Sequence, residues 1–111
     1  MITDAFMRES LKGFRAYTLV VLHGTTARNA EGADKVVWEH GRRLFELKRE
    51  GIVDIVCPVD EDSSGISGIC ILSVDTAKTR QIMDADPAVK EGIFTYDVHS
   101  VRGLPGDRLS D

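Results

Sequence analysis

Two hydrophobic periods alternate along the chain, one near 3.6 residues and one of continuous or alternating apolar runs. Ile2, Phe6, Met7, Leu11 and Phe14 recur at roughly helical spacing and predict a short amphipathic helix over 1–14. Tyr17–His23 (YTLVVLH) is apolar on both parities, as in a central strand covered on two faces. Gly24–Ala33 is rich in Gly, Thr and Asn and reads as a loop. From Asp34 to Glu50 the pattern is helical, with Ala33, Val37, His40, Leu44 and Leu47 on one stripe and Val36 and Phe45 widening it. Glu39, Arg42, Arg43, Glu46, Lys48 and Arg49 populate the wet side, where a solvated face is the expectation. Gly51 is a natural left-handed terminator.

Ile52–Pro58 and Gly65–Val74 read as a second and third strand, joined through the polar turn of residues 60–64. Asp75–Asp84 predicts a helix capped by Asp75 or Thr76. Asp86–Gly92 predicts a capped turn with Asp86 at the N-cap and Pro87 in the first helical position. Phe94–Val101 is the last strand, and 103–111 a tail with Pro105 and Gly106. The order β-α-β-β-α-β is the ferredoxin-like α+β arrangement, a four-stranded antiparallel sheet with both helices on one face. That leaves the other face open, although Tyr17, Leu19 and Val21 are as apolar as Thr18, Val20 and Leu22. A second copy, sheet against sheet about a two-fold axis, solves the burial problem, so a homodimer is expected.

Composition narrows the function more than the fold. The 111 residues suit a single domain, 1–111, and 42% hydrophobic with 29% charged residues is an ordinary globular mixture. The net charge of −4 argues against nucleic acid or an anionic membrane as partner. No apolar run approaches the ~20 residues of a membrane span. The first sixteen residues carry Asp4, Arg8, Glu9, Lys12 and Arg15, unlike a signal peptide, so a cytoplasmic protein is expected. Cys57 and Cys70 flank the hairpin almost symmetrically; a turn centred between Ser63 and Ser64 sets them directly opposite each other, as free thiols. Gly65–Gly68 lies at a strand start and does not meet the context of a dinucleotide loop, and HxxxH and HExxH are absent, so neither cofactor nor metal is expected.

Two segments resemble the YCII-related family. Trp38–Pro58 (WEHGRRLFELKREGIVDIVCP) is similar to its helix-to-strand segment, and Met83–Tyr96 (MDADPAVKEGIFTY) to its Asp-Pro signature. The resemblance covers roughly residues 16 to 102, which leaves 1–15 as an N-terminal helical extension. It implies a dimeric α+β barrel and a pair of site residues, His40 and Asp86. It also implies kinship with cofactor-free enzymes acting on small hydroxylated aromatic compounds, such as chlorohydroquinone dehydrochlorinases. The chain departs from the family in its longer N-terminal segment and its long loop after residue 23.

Each candidate also has a purely structural reading. His40 is either a core histidine with satisfied nitrogens or a general acid/base in a partly apolar cleft. Asp86 caps the turn opened by Pro87; facing His40 as well, it would fix the ring's tautomer and stabilise the imidazolium. A carboxylate has acceptor sites enough for both. Asp84 ends its helix and is expected in solvent. His23, at a strand end beside a Gly-Thr-Thr loop, is a surface residue or a substrate-binding pocket residue. Trp38 is assigned to the pocket wall or to the dimer seam. His99 has no supporting pattern. The functional expectation is a cofactor-free elimination or isomerisation on a small hydroxylated aromatic or lactone-like metabolite, with His40 and Asp86 catalytic and His23 and Trp38 binding substrate. The alternatives are a cofactor-free monooxygenase of the same fold and a non-catalytic small-molecule-binding dimer.

Overall fold

Residues 17–23 lie within the central strand of a four-stranded antiparallel sheet in the computed structural model, which describes residues 1–111 apart from the side chain of Asp62. The strands are β1 (Arg15–Gly24), β2 (Val53–Pro58), β3 (Ile66–Leu72) and β4 (Phe94–Gly103), ordered β2-β3-β1-β4. The helices are α1 (Asp4–Leu11), α2 (Ala33–Arg49), α3 (Thr76–Asp84) and α4 (Pro87–Lys90). Apart from α1 and the small α4, this is the βαββαβ order read from the hydrophobic periods. No helix is long and apolar enough to cross a membrane.

Burial along β1 alternates with the pleat. Thr18, Val20 and Leu22 are buried toward the helices, while Tyr17, Leu19, Val21 and His23 stay half-exposed on the other face. The core lies between sheet and helices and joins Val20, Leu22, Val53, Cys70, Leu72, Met83, Ala88 and Phe94. A two-residue clamp closes it beside α3, where the Thr18 hydroxyl donates to the Val74 carbonyl at 2.7 Å. The outer face of the sheet keeps its apolar character without cover from this chain's helices.

Four sequence expectations shift in detail. The 1–14 helix contracts to α1, capped by Thr3, and buries no residue, because its apolar positions meet no facing element. The loop of 24–33 contains a single 3₁₀ turn, Thr26–Asn29. Phe45, assigned to the inward stripe, is 68% exposed, since α2 turns only Ala33, His40 and Leu44 fully inward. The hairpin register is displaced by one residue: Cys57 pairs with Ile69 and Cys70 with Val56. Side chains on neighbouring positions of a strand project to opposite faces, so Cys57 and Cys70 do not face each other and remain free thiols.

Candidate active site

His40 enters the site because α2 is amphipathic. A stretch with Ala33, His40 and Leu44 on one stripe lays that stripe on the sheet, and the imidazole goes inward with it. Asp86 enters by a different route. It ends the tight connection after α3, where Pro87 presets the first turn of α4 and the Asp86 side chain accepts from the Ala88 N–H at 3.0 Å. Gly92, at φ +72°, closes that turn in a conformation that favours glycine and sends the chain into β4. The Thr25 hydroxyl donates to the Gly92 carbonyl at 2.6 Å, tying the loop after β1 to the same corner.

These two placements bring His40 and Asp86 together: Nδ1 lies 2.8 Å from Oδ2 of Asp86. The carboxylate is fully buried and the imidazole nearly so. Phe94 holds the ring edge-to-face, with centroids 5.1 Å apart. Burial drives the Asp86 carboxyl up, but the hydrogen bond and charge of His40, the Ala88 N–H and the charge of Arg43 outweigh it and hold the group below the ordinary carboxylate value. An ionised Asp86 accepts, so Nδ1 carries a proton, and whenever the ring is neutral Nε2 has its lone pair free. Nε2 has no protein partner among the described residues, yet it is not sealed, for Thr79 Oγ1 is the buried polar atom there that lacks a partner.

The ring borders a cavity of about 610 Å³ between α2 and the β2–β3 edge. Val37, Leu44, Val56, Cys70 and Phe94 give it apolar walls. Polar groups gather at its rim, where Lys48 donates to the Asp54 carbonyl at 3.0 Å. The tail also reaches it: after β4 the chain crosses the outer side of the sheet, past Tyr17 and Ile71, and Asp107, Arg108 and Leu109 border the cavity. Such a volume accepts a small organic molecule with an apolar body. Among the described residues, no three His, Cys, Asp or Glu side chains gather as a metal-binding group.

The other residues singled out in the sequence lie elsewhere. His23 does not border this cavity; its Nε2 lies 2.8 Å from Oδ2 of Asp97 on the outer sheet face. Trp38, 70% exposed, lines a separate shallow depression on the outside of α2, with Arg42, Phe45 and Arg49. Asp84 is exposed, as expected, and accepts from the Tyr96 hydroxyl at 2.6 Å. Cys70 is buried, and desolvation followed by the charge of Cys57 pushes its thiol up to about 11.

Sequence reasoning missed Arg43 and the tail. Arg43 was read as part of the wet face of α2, but its Nη1 lies 3.5 Å from Oδ1 of the buried Asp86. It follows His40 by three positions, which places the two side chains as neighbours on the helix and is the signal that finds it. The tail offered no such signal, because nothing in the pattern of 103–111 says where it folds back.

The order of elements, the strand order and the buried histidine–carboxylate pair define the class: an α+β protein of ferredoxin-like topology with a cavity between α2 and the β2–β3 edge. Among solved structures it is similar to 5-chloro-2-hydroxyhydroquinone dehydrochlorinase (TftG) from Burkholderia phenoliruptrix AC1100, in complex with 2,5-dihydroxybenzoquinone. The TM-score is 0.52 at 14% identity, covering 75% of this chain and 90% of that one. At that identity the likeness is one of fold. No protein-family model matches the chain, and no curated protein matches it by sequence.

Proposed function

We propose that the chain is a cofactor-free enzyme of YCII-related type, in which His40 moves a proton at a small hydroxylated aromatic molecule held in the 610 Å³ cavity. The observation that carries this reading is the 2.8 Å contact between His40 and a buried Asp86 beside that cavity, with Nε2 left unpartnered. In the neutral ring Nε2 takes a proton from a substrate hydroxyl or an activated carbon. The resulting imidazolium is stabilised by the Asp86 carboxylate and returns the proton to the product or to water. Isomerisation needs no more than this; in elimination the electron pair left by the proton forms the new double bond, the C–Cl bond breaks, and chloride leaves as the anion with the bonding pair. The apolar walls suit an aromatic body, and the solved structure of like fold is a dehydrochlorinase holding a dihydroxybenzoquinone.

The same reading includes a second copy against the outer sheet face and a cytoplasmic setting. Half-exposed Tyr17, Leu19, Val21 and Ile71 support the former, because contiguous apolar surface of this kind is rarely left to solvent. In the outer-face pairing His23 and Asp97 lie beside those residues, so His23 belongs to that interface rather than to the substrate. A non-catalytic binding module is the second reading. The 6% exposure of His40 favours it, since a ring so buried makes little contact with anything but its own protein.

Turnover of a panel of chlorinated and unsubstituted hydroquinones, followed by absorbance and chloride release, tests the reading together with ligand binding by calorimetry. Binding with turnover that is lost in His40→Asn supports the enzyme. Binding without turnover, unchanged in His40→Asn, favours the module. Oxygen consumption during turnover assigns the reaction to the monooxygenase alternative.

A further inference from the structure

Helix α2 has a second stripe, on the side turned away from the core. Asp34, Trp38, Gly41, Phe45 and Arg49 follow one another at intervals of three or four residues, so they share one side of the helix. Trp38 and Phe45 are 70% and 68% exposed, and a Cβ added to Gly41 between them meets nothing within 4 Å. Two large aromatic side chains flanking a glycine on the outer side of a 17-residue helix are not needed for packing within the chain. Nothing in the described residues covers them.

The stripe is complementary to itself. Turned end for end about a point between Gly41 and Arg42, the four outer positions of the stripe meet suitable counterparts. Trp38 falls on Phe45 and acidic Asp34 on basic Arg49, while Gly41 beside the axis leaves room for two helix backbones to approach. On one flank of the seam, Lys35 also comes within reach of Glu46. Asp34 already accepts from Arg28 at 2.8 Å, but its side chain is 92% exposed and its second oxygen is open to a further cation. The spacing of the stripe is that of the apolar seam in antiparallel helix pairs crossing at about 20°.

We infer that α2 is an interface with a second copy of this chain, two helices packed antiparallel about a two-fold axis through Gly41 and Arg42. Trp38 stacks on Phe45 of the partner subunit, and Asp34 pairs with Arg49 of the partner subunit at each end. Isologous contacts of this kind require a patch complementary to itself, and this stripe meets that requirement in both shape and charge. The four aromatic side chains together carry on the order of 600 Å² of surface. The interface is separate from the outer sheet face, which lies on the opposite side of the molecule. It also bears on the cavity, because Gly41 and Phe45 line the depression beside Trp38 and the wall of the cavity at once. A second copy over α2 therefore narrows the open side of the site.

Sedimentation of the full chain tests the pairing. Wild-type protein is expected to sediment as a dimer, or as a tetramer if the outer sheet faces also pair. Phe45→Glu and Arg49→Asp each halve that mass, and the double variant Asp34→Arg with Arg49→Asp restores it by exchanging the two ends of the ion pair. Circular dichroism confirms that each variant is folded. Leu19→Lys, on the outer sheet face, separates the two interfaces: it leaves the α2 pair intact, and any mass it removes belongs to the sheet pairing of the proposed function. A monomeric wild type overturns the α2 pairing, as does a mass unchanged in both Phe45→Glu and Arg49→Asp. Failure of the charge exchange to restore the assembly overturns it as well.

Discussion

The Asp86 carboxylate serves His40 and its own helix through the same oxygen: Oδ2 lies 2.8 Å from Nδ1 of His40 and accepts from the Ala88 N–H at 3.0 Å. The N-cap geometry therefore fixes the carboxylate before any substrate arrives, and the carboxylate fixes the ring. A group held by two independent contacts and fully buried has little freedom to follow solvent. Capping and orienting, which the acceptor sites of a carboxylate allow together, are performed here by one atom.

Asp86→Asn separates the electrostatic job from the steric one. The amide keeps the cap acceptor but withdraws the negative charge that stabilises an imidazolium. Turnover in the proposed reaction is expected to fall by on the order of 10²- to 10⁴-fold, read as kcat on whichever hydroquinone of the panel is turned over. Turnover unchanged in Asp86→Asn removes the carboxylate's charge from the chemistry.

Arg43 acts on the same carboxylate from the other side. Its Nη1 is 3.5 Å from Oδ1, a charge contact more than a strong hydrogen bond, and the side chain is only partly exposed. Its charge helps to hold the Asp86 carboxyl down, so in Arg43→Gln the acid loss of the stability that Asp86 contributes should be complete at higher pH, read from urea midpoints, and Arg43→Lys should restore most of the wild-type profile. Equal acid profiles in wild type and Arg43→Gln place the guanidinium outside the electrostatics of the site.

How legible this site was depends on the kind of signal each residue leaves. His40 lay on a hydrophobic stripe with Leu44, so its inward direction followed from periodicity. Asp86 was legible as a cap from the Asp-Pro pair, and the strand order followed from the sequence of elements. Their meeting across 46 residues did not follow from local pattern, since it depends on where α3 returns the chain. Phe45 misled, because its position on the helix can serve an inward or an outward stripe and only the sheet decides between them. The hairpin register failed by one residue because the turn is asymmetric, ending in Gly65 at φ +73°. Arg43 was hidden by its charge: an arginine among arginines reads as solvated face until a buried carboxylate is known to lie beneath it.

Acid titration should expose Asp86 in the stability of the whole fold. Its folded carboxyl is held below the ordinary value of about 3.9 that an unfolded chain presents. The unfolded state therefore binds protons first as pH drops, and the stability that this group contributes is intact above about pH 4 and is lost as pH falls through the folded value. Urea midpoints measured between pH 6 and pH 3 should decline more steeply for the wild type than for Asp86→Asn. Parallel curves would remove Asp86 as a source of the acid sensitivity.

Tyr96 gives the alkaline counterpart. Burial, then the hydrogen bond to Asp84 and its negative charge, push the phenol up to about 12. Because the folded value is raised, the stabilisation is present below the unfolded value of about 10 and disappears as pH rises through about 12. Absorbance at 295 nm should show a late-titrating tyrosine that advances toward lower pH in Asp84→Asn. Tyr96→Phe should abolish that late step and lower the melting temperature slightly, as loss of one surface hydrogen bond to a charged group does.

The one-residue hairpin register has a chemical consequence for the thiols. Cys70 sits on the helix side of β3, 2% exposed, with its thiol pushed up to about 11 by burial and then by the charge of Cys57. Thiolate is the reacting species, and at pH 8 a thiol raised that far supplies about one part in a thousand of it. Cys57, half-buried on the edge strand, faces the other side of the sheet. Native protein treated with a disulfide reagent at pH 8 should therefore modify one thiol promptly, at Cys57, and the second only after denaturant opens the core. Mass spectrometry after mild oxidation should find no Cys57–Cys70 bridge, since closing one would require one of the two side chains to cross the sheet. Prompt modification of both thiols, or a bridge formed without unfolding, would mean that β2 and β3 pair in the symmetric register instead.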